Sequence, residues 1–235
     1  MRLHYLQHVP TESPGNILAW AAEHGHQITH TLFYQDEPLP DVASFDWLVI
    51  MGGPMNVYEE DLYPWLSDEK GLIREAIAVG KVVLGFCLGS QLIADAIGGK
   101  VTANDRPEIG WHRIEWTDMA LANPLFSFFP RSSVVFQWHN DTFSVLPPGA
   151  VLLAGSEACE HQAFIYREKV FGFQFHLENT SEMIRAMALE LPEETGPTAW
   201  VQTPEEMSAH PEHIEQDRQW LSELLTRLEA RTEGR

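Results

Sequence analysis

The chain has 235 residues, 44% of them hydrophobic and 8 of them Trp, enough apolar material for one well-packed domain, or one domain with an appendage. Lys and Arg total 15 against 34 Asp and Glu, a formal charge of −19, which repels a phosphate-rich partner and argues against nucleic-acid binding. Two cysteines, no run of eighteen apolar residues and no charged-then-apolar leader speak against a disulfide framework and a membrane span, and read as a soluble, unexported, cytoplasmic protein.

In chain order, Leu3 to His8 reads as a strand. After Pro14 and Gly15, residues Ile17, Leu18, Trp20 and Ala21 recur at helical spacing until Gly25. A second strand covers Ile28 to Phe33, and Trp47 to Met51 is the unbroken apolar run of a parallel strand covered on both faces, ended by Gly52, Gly53 and Pro54. Leu66 to Val79 reads as a helix closed by Gly80, Val82 to Phe86 as a buried strand, and Leu88 to Ile97 as a helix closed by Gly98 and Gly99. This β-α-β-β-α-β-α order predicts a mainly parallel sheet with helices on both faces, right-handed connections, and ligands at the strand C-termini.

From Gly110 to Phe175 the pattern changes to short runs between Pro and Gly turns: Trp111 to Trp116, Val134 to Gln137, Val151 to Ala154, Ala163 to Tyr166 and Val170 to Phe175. These predict an antiparallel extension of the sheet. Ser181 to Leu191 is helix-like and Pro192 to Pro204 reads as a polar linker. Ile214, Trp220, Leu221, Leu224, Leu225 and Leu228 then stripe one long C-terminal helix, which is expected to pack on the body rather than to await a partner.

The stretch Leu84-Gly85-Phe86-Cys87-Leu88-Gly89-Ser90-Gln91 turns a strand sharply into a helix with a cysteine at the turn. A lone cysteine is usually a small buried hydrophobe. Here flanking glycines relieve crowding at a strained turn, so the sulfur can stand exposed beside the backbone N–H of Leu88, and the helix N-terminus favours the thiolate. A nucleophilic cysteine needs a base, and the base benefits from an orienting carboxylate. Gln174-Phe175-His176-Leu177-Glu178 supplies both, with His176 just past an apolar strand and Glu178 two residues on. For a histidine taken alone a surface or satisfied-core role is the better reading; a strand-end position shared with Cys87 reverses it.

Val49-Ile50-Met51-Gly52-Gly53-Pro54-Met55 ends a buried strand in two glycines, whose backbone freedom lets a peptide N–H face a developing oxyanion. It lacks the glycine spacing and Lys-Ser/Thr of a phosphate loop. No His-Glu-x-x-His occurs, and His24 with His26 and His210 with His213 read as solvated loop or helix-end sequence, so no metal site is expected.

In this order and at this spacing, the three blocks resemble the triad-type class I glutamine amidotransferases, above all the glutaminase domain of GMP synthetase and its single-domain relatives. The resemblance runs from about Leu3 to Glu178. It implies an α/β fold: an open, mostly parallel, flavodoxin-like sheet flanked by helices, with a small antiparallel extension and a C-terminal helix. Residues 1–180 would form the amidotransferase domain and 181–235 a helical extension packed on it.

Residue by residue, the resemblance makes Cys87 the nucleophile, His176 the base and then the acid, and Glu178 the group orienting it. The backbone N–H groups of Gly53 and Leu88 would form the oxyanion hole, and Gln91 would hold the substrate by its side chain. Trp138-His139-Asn140-Asp141 is similar to the family's Ser-His-Gly-Asp type loop, whose backbone amides receive the substrate α-carboxylate, which makes Asn140 and Asp141 substrate-binding candidates. Asn140 stands where Gly is usual, and Asn tolerates positive φ better than most residues. Leu177 and Asn179 depart from the common Pro and Val. Glu108-Ile109-Gly110-Trp111 and Gln162-Ala163-Phe164 are similar to segments of the single-domain relatives and read individually as strand and turn packing. Cys159 matches no functional position.

The implied reaction is hydrolysis of glutamine to ammonia and glutamate through a thioester, without a cofactor. No synthetase segment fits in the remaining chain, so an ammonia-accepting synthetase subunit would lie on another protein. Two alternatives stand beside this reading. One is a γ-glutamyl peptide hydrolase using the same triad, with a pocket open beyond the scissile bond. The other is an idle regulatory module, against which the intact Cys87, His176 and Glu178 argue.

Overall fold

The computed structural model describes residues 1–191 and 196–233. Its first half alternates as expected: β1 (Arg2–Gln7), α1 (Asn16–Glu23), β2 (Gln27–Leu32), β3 (Trp47–Ile50), α2 (Trp65–Ala78), β4 (Val82–Phe86) and α3 (Leu88–Ala96). Then follow β5 (Lys100–Trp116), α4 (Asp118–Ala122), β6 (Ser132–Val145), β7 (Val151–Gly155), β8 (Ala163–Tyr166), β9 (Val170–Phe173), α5 (Ser181–Leu189), α6 (Pro204–Ser208) and α7 (Pro211–Glu233).

The strands form one sheet in the order β2-β1-β3-β4-β9-β8-β7-β5-β6. From β2 to β9 neighbours run parallel, and from β9 to β6 they run antiparallel. The unbroken apolar strands explain the layering. Successive side chains point to opposite faces, so Trp47, Val49 and Met51 enter one core with Ile17, Trp20, Leu221, Leu224, Leu225 and Leu228. Leu48 and Ile50 enter the other, with Leu66, Ile73, Leu92 and Ile93. Thus α1 and α7 cover one face of the parallel half, and α2 and α3 the other. Each fully buried leucine of α7 contributes about 1.5–3 kcal/mol, which accounts for the helix lying on the body, where Trp20 also donates to Thr226 Oγ1 at 3.1 Å.

Three features depart from the sequence reading. The strand expected over Trp111 to Trp116 begins at Lys100 and pairs with an equally extended β6. Pro107 and the polar run before it hide this, and the structure accommodates them in an irregularity where residues 104–107 stand opposite Asn140 alone. Consequently Trp138 to Asp141, expected as a loop, lies within β6 at that irregularity. Pro192 to Thr195 of the expected linker lie outside the described residues, but its later part is more than a connector. Ile109 N–H donates to Trp200 O at 2.8 Å and Gln202 N–H to Ile109 O at 2.9 Å. Thr203 and Glu206 then form a capping box on α6, bringing Met207 into a third core with Ile109, Trp111, Phe136, Ile184 and Val201.

Candidate active site

Cys87 joins β4 to α3 with φ 48° and ψ −111°, a region costing a non-glycine residue on the order of 1–3 kcal/mol. The neighbouring glycines make the turn possible. A Cβ on Gly85 would lie 2.5 Å from the Gly89 carbonyl carbon, and one on Gly89 would run into the Ile50 carbonyl. Cys87 N–H donates to Phe173 O at 2.8 Å, tying the elbow to β9, and Ser90 Oγ donates to Cys87 O at 2.7 Å.

His176 and Glu178 follow β9 on the adjacent strand end. The His176 backbone N–H donates to Phe136 O at 2.8 Å, and its Nδ1 is 2.6 Å from Glu178 Oε1, both side chains 1% exposed. Nε2 is left without a hydrogen-bond partner among the described residues. Cys87 Sγ donates to the Trp138 carbonyl at 3.4 Å.

Burial works to lower the His176 pKa, but the Glu178 charge and the interaction with Cys87 outweigh it and hold the imidazole well above its ordinary value. Burial pushes the Cys87 thiol up, with His176 and the Leu88 N–H pulling the other way and Glu12 adding to the rise. The helix N-terminus alone was expected to favour thiolate; in the folded site the loss of water outweighs it.

Gly53 stands against Leu88, a Cβ on it lying 3.1 Å from Leu88 Cδ2. Gln91 Nε2 donates to Asp141 O at 3.0 Å and to Gln174 Oε1 at 3.1 Å, leaving Oε1, an acceptor, as its available group. Asp141 Oδ2 accepts from Tyr58 at 3.0 Å. Asn140 is exposed and does not take positive φ. Its replacement of glycine is thus accommodated by the bulged strand, with no left-handed residue needed.

Residues that the sequence reading passed over surround this group. His139 donates from Nδ1 to Asp141 O at 3.0 Å, and its Nε2 lies 3.1 Å from Glu108 Oε2. Gln162 and Ser156 also donate to Glu108, at 2.6 and 2.8 Å, so the two segments read as packing meet in one buried network. His8 and Glu69 form another buried pair at 3.1 Å. Glu12 lays its carboxylate over the Gly52 α-carbon, where a Cβ would also lie 3.3 Å from His176 Cε1. Burial raises its pKa. The available signal was position: His8 and Glu12 directly follow the C-terminal end of a parallel strand, where ligands collect.

A cleft of about 470 Å³ opens over the site, lined by Glu12, Gly53, Pro54, Trp138, Asn140 and Glu190 among others. A larger groove of about 690 Å³ between α4 and α7, lined by Met119, Leu125 and Arg227, contains no cysteine or histidine. Glu108, His139 and Cys159 lie close enough to share a metal ion, as do His24, His26 and Glu229, and His210, Glu212 and His213. In the first group Glu108 and His139 are already spent on the hydrogen bonds above, and Cys159 Sγ donates to Thr142 Oγ1 at 3.2 Å.

The chain is an open α/β sheet that brings acid, imidazole and thiol groups together at the carboxyl ends of its parallel strands, where ligands collect in such folds. The comparisons narrow it. The family model described as glutamine amidotransferase class-I matches residues 16–191. A glutamine amidotransferase-like protein of Salmonella typhimurium, YfeJ, is 39% identical over 191 residues, 80% of either chain. A GMP synthase of Caldicellulosiruptor saccharolyticus is 38% identical over 132 residues, 56% of this chain and 24% of that one. The chain therefore spans about a quarter of such synthases. The crystal structure of a glutamine amido transferase from Methylobacillus flagellatus superposes with a TM-score of 0.89 at 31% identity, covering 97% of this chain and 93% of that one. The chain belongs to the class I glutamine amidotransferases. Among its described residues no helix is long and apolar enough to cross a membrane.

Proposed function

We propose that the protein hydrolyses the γ-amide of glutamine to glutamate and ammonia, with Cys87 as nucleophile. The observation that carries this reading is the buried His176–Glu178 pair at 2.6 Å, set beside a cysteine held at a strained strand-to-helix turn. His176 takes the thiol proton as Sγ attacks the γ-carbonyl. The tetrahedral oxyanion is received by the Gly53 and Leu88 N–H groups, each worth about 3 kcal/mol. The same proton passes to the leaving nitrogen, ammonia departs, and a thioester remains. His176 then deprotonates a water whose attack releases glutamate and regenerates the thiol. Glu178 keeps Nδ1 protonated and Nε2 aimed at the sulfur. In this reading Gln91 Oε1 accepts from the substrate ammonium, and the backbone amides at Asn140 and Asp141 receive its carboxylate.

The ammonia would pass to a synthetase on a separate chain, by analogy with the relatives named GMP synthase. A second reading, cleavage of γ-glutamyl peptides, draws on the cleft continuing past Gly53 to Glu12 and Glu190. Acid-quenched protein tests both. With glutamine, mass spectrometry should find a γ-glutamyl adduct on the peptide containing Cys87. Preferential acylation by a γ-glutamyl dipeptide would move the assignment to the peptidases, and no adduct from either would remove the covalent mechanism.

A further inference from the structure

His8 meets two acceptors. Its Nδ1 lies 2.9 Å from the Gly52 carbonyl oxygen, which can only accept, so Nδ1 carries a proton and donates. Its Nε2 lies 3.1 and 3.2 Å from the two carboxylate oxygens of Glu69 and donates there. With both nitrogens donating, the ring is an imidazolium, and it lies against Phe33 at 5.3 Å and Trp65 at 5.4 Å, which stack on each other at 4.3 Å. Both His8 and Glu69 side chains are 0% exposed. Burial works to lower the His8 pKa, and the charge and hydrogen bonds of Glu69, with that of Gly52, hold it above its ordinary value.

An ion pair in the core is costly to desolvate, and apolar side chains would fill the same space at least as favourably. What the pair does there follows from its partner. The Gly52 carbonyl belongs to the same peptide unit as the Gly53 N–H, and because no peptide in the described chain is cis, the two point in opposite directions. A peptide between two glycines rotates with little steric penalty, so it needs an external hold. Gly53 packs against both His8 and Leu88, a Cβ on it standing 3.0 Å from His8 Cβ and 3.1 Å from Leu88 Cδ2. Anchoring the carbonyl on His8 Nδ1 turns the N–H away from that ring, leaving it free to act beside the second proposed oxyanion donor, the Leu88 N–H.

We infer that His8, charged and held by Glu69, is a positioning residue that locks the Gly52–Gly53 peptide with its N–H toward the reacting carbonyl. The inference rests on the proposed acyl-transfer reading of Cys87 for its consequence, but not for its geometry. Glu69 approaches from α2 and Glu12 from the loop after β1, and both charges favour the imidazolium.

The test compares His8→Asn, whose Nδ2 branches from the same carbon and can still donate to the Gly52 carbonyl, with His8→Leu, which cannot. In His8→Leu, kcat should fall about a hundredfold to a thousandfold, the range for a lost oxyanion donor, with KM changed by no more than about twofold. Alkylation of Cys87 by iodoacetamide, which builds no oxyanion, should proceed at the wild-type rate. His8→Asn should recover much of kcat. Relaxation dispersion at the Gly53 amide should show exchange between two orientations in His8→Leu and a single state in wild type and His8→Asn. Unchanged kcat together with a single Gly53 state in His8→Leu would overturn the lock. If His8→Leu does not fold, the wild-type ring decides: nitrogen shifts must report both His8 nitrogens protonated at neutral pH, and a bare Nδ1 would refute it. A wild-type protein that turns over nothing would remove the proposed function, and the Gly53 and His8 resonances would still judge the lock.

Discussion

The backbone N–H of His176 is bonded to the carbonyl of Phe136 at 2.8 Å, so the residue carrying the imidazole is registered on β6 as well as on β9. The same β6 contributes Trp138, whose carbonyl accepts from the Cys87 thiol, and Asp141, whose carbonyl accepts from Gln91 and His139. One antiparallel strand thus aligns the groups of the elbow and α3 with the strand end after β9.

Removal of the Glu178 charge should have two separable effects. Because that charge raises the His176 pKa, Glu178→Gln lowers it, and the acid limb of kcat/KM moves to lower pH. The plateau should fall by about 10²–10⁴-fold, since the imidazole loses its orienting acceptor. A pH profile of kcat/KM for both proteins checks the displacement and its sign.

Strain at the elbow predicts an inverted glycine effect. In ordinary structure, Gly is less stable than Ala by about 0.5–1 kcal/mol. At position 87, with φ 48° and ψ −111°, Cys87→Gly should be more stable than Cys87→Ala by about 1 kcal/mol, read as the difference in urea midpoint. Gly89→Ala, which sets a methyl against the Ile50 carbonyl, should lose about 1–3 kcal/mol or more by the same measure.

Much of this arrangement was legible in the sequence. Unbroken apolar runs at Trp47 to Met51 and Val82 to Phe86 marked strands covered on both faces, and glycines flanking Cys87 marked the elbow. The His-x-Glu spacing was local and therefore readable. The extent of β5 and β6 was not, because the polar run at Asn104 to Pro107 joins the sheet through an irregularity fixed by long-range pairing. His8 and Glu69 were passed over for a related reason: each acts on a partner distant in sequence and neither sits in a short motif, while Glu108 and His139 stand in quoted segments but received no role, because their pairing also spans distant parts of the chain.

Asp217, on α7, is a buried acid, 2% exposed, with neither carboxylate oxygen hydrogen-bonded among the described residues. Burial raises its pKa well above the ordinary 3.8, and the pull of the Phe136 N–H offsets only part. A folded-state pKa above the unfolded one gives stability that is complete below about pH 3.8 and is lost as pH rises through the folded value. Asp217→Asn should therefore leave stability near pH 4 little changed and raise it at pH 8 by about 1–3 kcal/mol. Thermal unfolding of both proteins at the two pH values checks this.

The central claim, that Cys87 cleaves the γ-amide, is met most directly by ammonia and glutamate release from glutamine in the purified protein and in Cys87→Ala. Equimolar release is expected in the first and none above the uncatalysed rate in the second. Release that persists undiminished in Cys87→Ala would contradict it.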